Sequence, residues 1–303
     1  MVDFKGIWPV LAIPFLKNGE IDEISLRREI DFEIEQGVDG LVVFGLASEV
    51  YKLSEVERLK IIELIISHVA GLIHVIAGTE HTGSDVAAMR SYQAQELGVS
   101  GVMLYPPSFV KPDVMGILEY YQLVSDRIKI PLMIQDAQTW TQVPLSTDLL
   151  VQMHRDISAV KYVKIETIPT GPKISKVLEA SSGSLKVFGG YGGLYYMDEL
   201  RRGAVGTLIP SALSDAFVAI NHVFQSGKVE EAEALHQQLL PFLLFEMTTL
   251  DTLIDVQKIL FHHAGIFETP FVRKPHMAMD TQQYKRLNWL LQNQHFSIIN
   301  KYN

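Results

Sequence analysis

The chain contains no cysteine, which excludes disulfides, thiolate metal sites and cysteine nucleophiles. Basic residues are in the minority: 26 Lys and Arg against 35 Asp and Glu give a formal charge of −9. Nucleic acids and anionic membranes attract clustered cations, and the basic pairs Arg27-Arg28 and Arg201-Arg202 are short and isolated. Neither partner is expected. Long hydrophobic runs are also lacking. The longest apolar clusters, 61–66 and 239–245, are far too short to span a bilayer, and residues 1–16 lack the basic start and apolar stretch of a secretion signal. A soluble, cytoplasmic protein is expected. No H-E-x-x-H, G-x-S-x-G or Walker motif occurs, so metal-assisted hydrolysis and serine catalysis find no support. Adjacent His262 and His263 diverge on a helix and make a poor metal pair. No metal site is expected.

What is present is a large potential core: 48% of residues are hydrophobic and 20% charged, ordinary globular usage. Short apolar runs alternate with segments of helical periodicity. Strands are expected at 6–15, 41–44, 73–77, 101–105, 131–135, 159–165, 185–188 and 206–209. Helices are expected between them at 25–37, 54–70, 84–97, 114–127, 146–153, 174–180 and 195–202. Ser54 and Glu57 form a capping-box pattern, and Gly37 and Gly98 follow helix ends. Eight strand–helix units predict parallel strands joined by right-handed crossovers. The turn after the first strand, 16–21, lacks the G-x-G-x-x-G fingerprint of a dinucleotide fold. The fold class is therefore α/β, a (β/α)₈ TIM barrel over 1–225 carrying the site. After Pro210 only helices are expected, at 213–224, 229–245, 250–265 and 281–294. The first completes the barrel; the region 226–303 is a C-terminal helical extension.

Barrel enzymes build their sites at the C-terminal ends of strands, so chemistry is sought where the apolar runs stop. Lys164 ends the run 159–165, with Glu166 directly after it. A lysine there either carries charge at a strand end or does chemistry. Partial burial would favour its free amine, which attacks carbonyls and forms an imine that draws electrons from the adjacent carbon. Glu166, Asp136, Tyr105 and Tyr191 stand at strand ends as possible acids or bases. Gly189 and Gly190, in the run Gly-Gly-Tyr-Gly-Gly, allow either a tight turn or a close approach to a ligand. The loop 45–49 could offer backbone N–H groups to a carboxylate ahead of a helix.

Taken in order, these stretches resemble the dihydrodipicolinate synthase and N-acetylneuraminate lyase superfamily. Gly6 with Pro14-Phe15, then Asn18-Gly19 with Ile21-Asp22, is similar to its opening strand and turn. Gly45 to Glu49 followed by Leu53-Ser54 and Glu57-Arg58 resembles its G-T-T-G-E…L-S…E-R block, and Ala77-Gly78-Thr79 its third-strand A-G-T. The resemblance implies an imine on Lys164, with no other cofactor, a small 2-oxo acid as substrate, and a homo-oligomer, tetramer or dimer. It implies substrate contacts from Leu46, Ala47, Ser48, Tyr105, Gly189 and Gly190, and catalytic roles for Lys164, Gln135 and Asp136.

Several positions depart from the pattern. The family's paired threonines fall on Leu46 and Ala47, its fifth-strand tyrosine on Gln135, its relay tyrosine on Phe109, and the arginine for a second substrate near Trp140. A glutamine or phenylalanine cannot shuttle protons at neutral pH. The pair Gln135-Asp136 resembles the branch of 2-keto-3-deoxy sugar acid dehydratases, in which the imine acidifies C3 and a hydroxyl leaves C4. Dehydration of such an acid is the leading expectation. A pyruvate-dependent aldolase, a dihydrodipicolinate synthase-type condensation and a noncatalytic 2-oxo-acid binding protein remain as alternatives.

Overall fold

An apolar run buried on both faces suits an inner parallel strand, and the amphipathic segments between such runs cover the sheet. The computed structural model describes residues 3–293. The chain forms β1 (Gly6–Val10), α1 (Glu23–Gln36), β2 (Gly40–Val43), α2 (Glu55–Val69), β3 (His74–Gly78), α3 (Ser84–Leu97), β4 (Gly101–Leu104) and α4 (Val114–Ser125). There follow β5 (Leu132–Asp136), α5 (Gln138–Thr141), α6 (Thr147–Asp156), β6 (Val160–Ile165), α7 (Thr170–Ala180), β7 (Lys186–Gly189), α8 (Tyr196–Arg201) and β8 (Gly206–Pro210). Helices α9 (Ser214–Gln225), α10 (Val229–Glu246), α11 (Leu250–His263) and α12 (Thr281–Gln292) end the described chain. The strands close in chain order, β1 to β8, into a parallel barrel, as the alternation of segments anticipates.

The differences from sequence expectation have local causes. β1 stops at Val10, short of residue 15, because the chain folds back: Phe15 bridges Ile21 in antiparallel sense and the Asp22 N–H donates to the Pro14 carbonyl at 3.0 Å. α7 starts at Thr170, four residues early. Gly171-Pro172 reads as a loop, but a helix's first turn has no intrahelical use for the N–H that proline lacks. The single turn α5 has too few residues to show a period. Residue 294, the expected end of the last helix, and the rest of the expected helical region up to 303 lie outside the described residues. Among the described residues no helix is long and apolar enough to cross a membrane.

The chain divides into two compact units. The first comprises Met1–Lys5, His74–Tyr191 and Tyr195–Leu208. In it Phe4 stacks on Tyr162 with ring centroids 5.0 Å apart, and the Tyr162 hydroxyl accepts the Phe4 N–H at 3.0 Å. Further along β6 the register sets Gln135 against Lys164 and Asp136 against Ile165. Because alternate side chains on a strand point to opposite faces, this register sorts the candidate residues.

The second unit comprises, among the described residues, 6–73, 192–194 and 209–293. Its α2 begins with the expected capping box, Ser54 accepting the Glu57 N–H at 3.3 Å and Glu57 accepting the Ser54 N–H at 2.9 Å. The turn after β2 ends at Glu49, a left-handed residue (φ 55°) whose side chain is fully buried. Its carboxylate pairs with Lys258 of α11, also fully buried, and with Lys52 at 2.8 Å. Burial pulls the Lys258 ammonium down to about 8 while Glu49 pulls it up. Removing one member of a buried ion pair leaves the other uncompensated, at a cost of roughly 3–5 kcal/mol. Glu49→Ala strands two buried cations, so its urea-unfolding free energy is expected to drop by about 3 kcal/mol. A loss below about 1 kcal/mol would show that the pair does not hold the turn.

Candidate active site

Lys164, next to last in β6, points to the same face as Glu166, two residues on, because side chains repeat every second residue. Glu166 lies one residue past β6, yet its N–H still donates to the Asp136 carbonyl at 3.0 Å, which carries the extended backbone beyond the strand. The Lys164 ammonium stands 3.0 Å from Glu166 Oε1, and both residues are buried. Gln135, opposite Lys164 on β5, donates its amide to Glu166 Oε2 at 2.7 Å. The Tyr191 N–H donates to Glu166 Oε1 at 3.2 Å. A single carboxylate thus gathers a lysine, a glutamine and a backbone amide from three successive strand ends.

The close fit depends on Gly190. A Cβ at this position would lie 2.6 Å from Lys164 Cε and 2.8 Å from Glu166 Cγ, so any side chain would displace one of them. Tyr191, the next residue, takes a left-handed backbone (φ 52°) and so turns its N–H toward the carboxylate. Burial holds its phenol above the ordinary range, so it is a proton donor rather than a base at neutral pH. The carboxylate can accept the lysine proton across 3.0 Å, within the reach of general acid–base transfer.

Asp136 does not join this group. It is paired with Ile165, on the opposite face of the strand from Gln135. Its carboxylate contacts the Lys173 ammonium at 2.6 Å and accepts from the Thr167 hydroxyl at 2.9 Å. Lys173 also donates to the Leu145 carbonyl at 2.6 Å. Burial raises the Asp136 carboxyl and Lys173 opposes the rise. The strand alternation thus sets Asp136 apart from the Lys164–Glu166–Gln135 contacts, and this aspartate ties β5 to the start of α7.

The remaining candidates are distributed as follows. Gly189 ends β7 and Gly190 follows it against Lys164. Tyr105 is half-buried directly after β4 and lies near Tyr120. In the second unit, Leu46, Ala47 and Ser48 form a 3₁₀ turn after β2. Ser48 is fully buried and its hydroxyl donates to the Leu11 carbonyl at 2.5 Å, so it serves the backbone. Ala47 packs against Leu253, Ile254 and Val272. Phe109 is 89% exposed, and Trp140 is half-buried in α5. Sequence reading missed Thr167 and Lys173 as partners of Asp136, and missed the buried Glu199 altogether. A lysine and a glutamate spaced i, i+2 at a strand end was the available signal for the Lys164–Glu166 pair.

The chain matches a model of the dihydrodipicolinate synthetase family over residues 3–294. It is 33% identical over 285 residues to an L-2-keto-3-deoxyarabonate dehydratase of Azospirillum brasilense, covering 92% of this chain and 91% of that protein. Against a 4-hydroxy-tetrahydrodipicolinate synthase of Methanococcus maripaludis it is 28% identical over 240 residues, covering 79% and 82% of the two chains. The structure superposes on the 4-hydroxy-tetrahydrodipicolinate synthase of Methylacidiphilum fumariolicum SolV with a TM-score of 0.91, at 23% identity over 99% of this chain and 97% of that one. The last likeness speaks for the fold; the first two extend to sequence. With its eight-stranded barrel closed and the family model matched from residue 3 to residue 294, this chain belongs to the dihydrodipicolinate synthetase family.

Proposed function

We propose that this enzyme is a Schiff-base-forming lyase that removes water from a 2-keto-3-deoxy sugar acid. The observation that carries the proposal is the buried contact between Lys164 and Glu166, 3.0 Å apart. It puts a nucleophilic amine beside a base in a site where neither family tyrosine position holds a tyrosine. Higher identity to a keto-deoxy sugar acid dehydratase (33%) than to a condensing synthase (28%) supports this choice of reaction.

In this reading Glu166 takes a proton from the Lys164 ammonium, and the free amine attacks C2 of the 2-oxo acid. The carbinolamine expels its hydroxyl as water, the proton coming back from Glu166, and a protonated imine remains. The iminium withdraws electrons from C3, so Glu166, ionised again, removes a C3 proton and leaves an enamine. The enamine pushes out the C4 hydroxyl, which leaves as water with the proton held by Glu166. Hydrolysis of the unsaturated imine frees the product and restores Lys164. One molecule of water is lost overall, and no oxidant or reductant is needed. Gln135 orients the carboxylate through its 2.7 Å bond, and Asp136 with Lys173 keeps the ends of β5 and α7 in register.

Product analysis with 2-keto-3-deoxy-L-arabonate tests the proposal. The expected result is a dehydrated 2-oxo acid without release of pyruvate, abolished in Lys164→Ala; pyruvate release would assign retro-aldol cleavage instead. Glu166→Gln, which keeps shape but not basicity, is expected to lower kcat by roughly 10²–10⁴, the usual weight of a general acid–base, and a loss under tenfold would move the proton transfer to another group. Gly190→Ala is expected to keep the fold by circular dichroism yet lose at least about tenfold in kcat/KM, a misplacement effect. Unchanged kinetics would show that the glycine is not needed for the lysine's placement.

A further inference from the structure

Gly189 and Gly190 bear side chains on neither face of the barrel wall, and a carboxyl group fills the space on each side. On one face stand Lys164 and Glu166, against Gly190. On the other stands Glu199 of α8, whose Oε2 lies 1.8 Å from where a Gly189 Cβ would be. Glu199 is fully buried, and among the described residues neither of its oxygens has a hydrogen-bond partner. The Thr170 hydroxyl at the start of α7 is beside it and favours its ionised form. The charged groups that face Glu199 are Glu166 and Lys164 from β6 and its continuation, and Asp198 on its own helix. Asp198 is exposed and held by Arg202 at 2.9 Å.

We propose that Glu199, acting through the side-chain-free backbone of Gly189 and Gly190, is a positioning residue that sets the charge felt by the Lys164–Glu166 pair and with it how far amine reactivity rises at alkaline pH. Burial favours the neutral form of a carboxyl; it pushes Glu199 up to about 8 against the Thr170 hydroxyl, which holds it down, with Glu166 and Asp198 adding to the rise and Lys164 opposing it. Below that pH Glu199 is an uncharged acid, and the lysine faces one carboxylate. As pH rises through about 8, Glu199 ionises and a second negative charge faces the lysine. The added negative charge attracts the ammonium and so opposes its reaction as an amine. A glutamine at this position mimics the neutral acid at every pH.

The inference rests on the reading of Lys164 as the reacting amine, and its test uses no substrate, so the two can fail separately. Intact protein is pulse-labelled with acetic anhydride between pH 6 and pH 10, and acetylation of the Lys164 peptide is followed by mass spectrometry. Wild type and Glu199→Gln are expected to label alike at pH 6.5 and to separate above pH 8, the variant being labelled roughly threefold to tenfold faster at pH 9. The wild-type profile alone is expected to deviate from a one-proton curve near pH 8, so the test stands even where the variant folds poorly. Superimposable profiles, or a wild-type curve fitted by a single proton, would overturn the proposal. A shifted profile in a protein that forms no imine would keep the electrostatic coupling and sink the function proposed above.

Discussion

One buried ion pair, Lys164 with Glu166, holds three strand ends together. A lysine and a glutamate taken out of water lose more hydration than their mutual attraction returns unless the remaining hydrogen-bonding capacity is met. Here the surroundings meet it: Gln135 and the Tyr191 N–H fill the other positions on the Glu166 carboxylate. Each of these comes from a neighbouring strand end, so the site exists only while β5, β6 and β7 keep their register. Gly190 admits the pair, and the left-handed turn at Tyr191 aims the amide. Asp136, bonded to Lys173 and Thr167 on the other face, fastens the same strand ends from behind.

The barrel was largely legible from the sequence because burial on both faces leaves a coarse record: short apolar runs at regular spacing, with caps and glycines between. What escaped were features whose signals are local or tertiary. The first turn of α7 hides behind Gly171-Pro172, since a proline is harmless only where the helix has no use for its N–H. The end of β1 is set by a return of the chain, Phe15 to Ile21, that no periodicity announces.

The site was legible in part. Lys164 stands near the end of a run that reads as a buried strand, and Glu166 shares its face by the period of two. The same period separates Asp136 from Gln135, although adjacent polar residues at a strand end invite being read as a pair. Glu199 left no trace in the sequence: it lies on a short helix whose pattern cannot reveal which glycine it will meet. The departures from the family pattern gain physical content from the geometry. Where the resemblance expects tyrosines that carry protons, Gln135 can hydrogen-bond but not shuttle a proton, and Phe109 is 89% exposed. In the proposed mechanism the proton work falls to the carboxylate that both Gln135 and Lys164 touch.

The most direct measurement of the central claim is a peptide map after borohydride reduction of the enzyme mixed with 2-keto-3-deoxy-L-arabonate. The expected result is a reduced adduct confined to the peptide bearing Lys164, formed much more slowly in Glu166→Gln. Turnover without any adduct, or an adduct on another lysine with Lys164 unmodified, would contradict it.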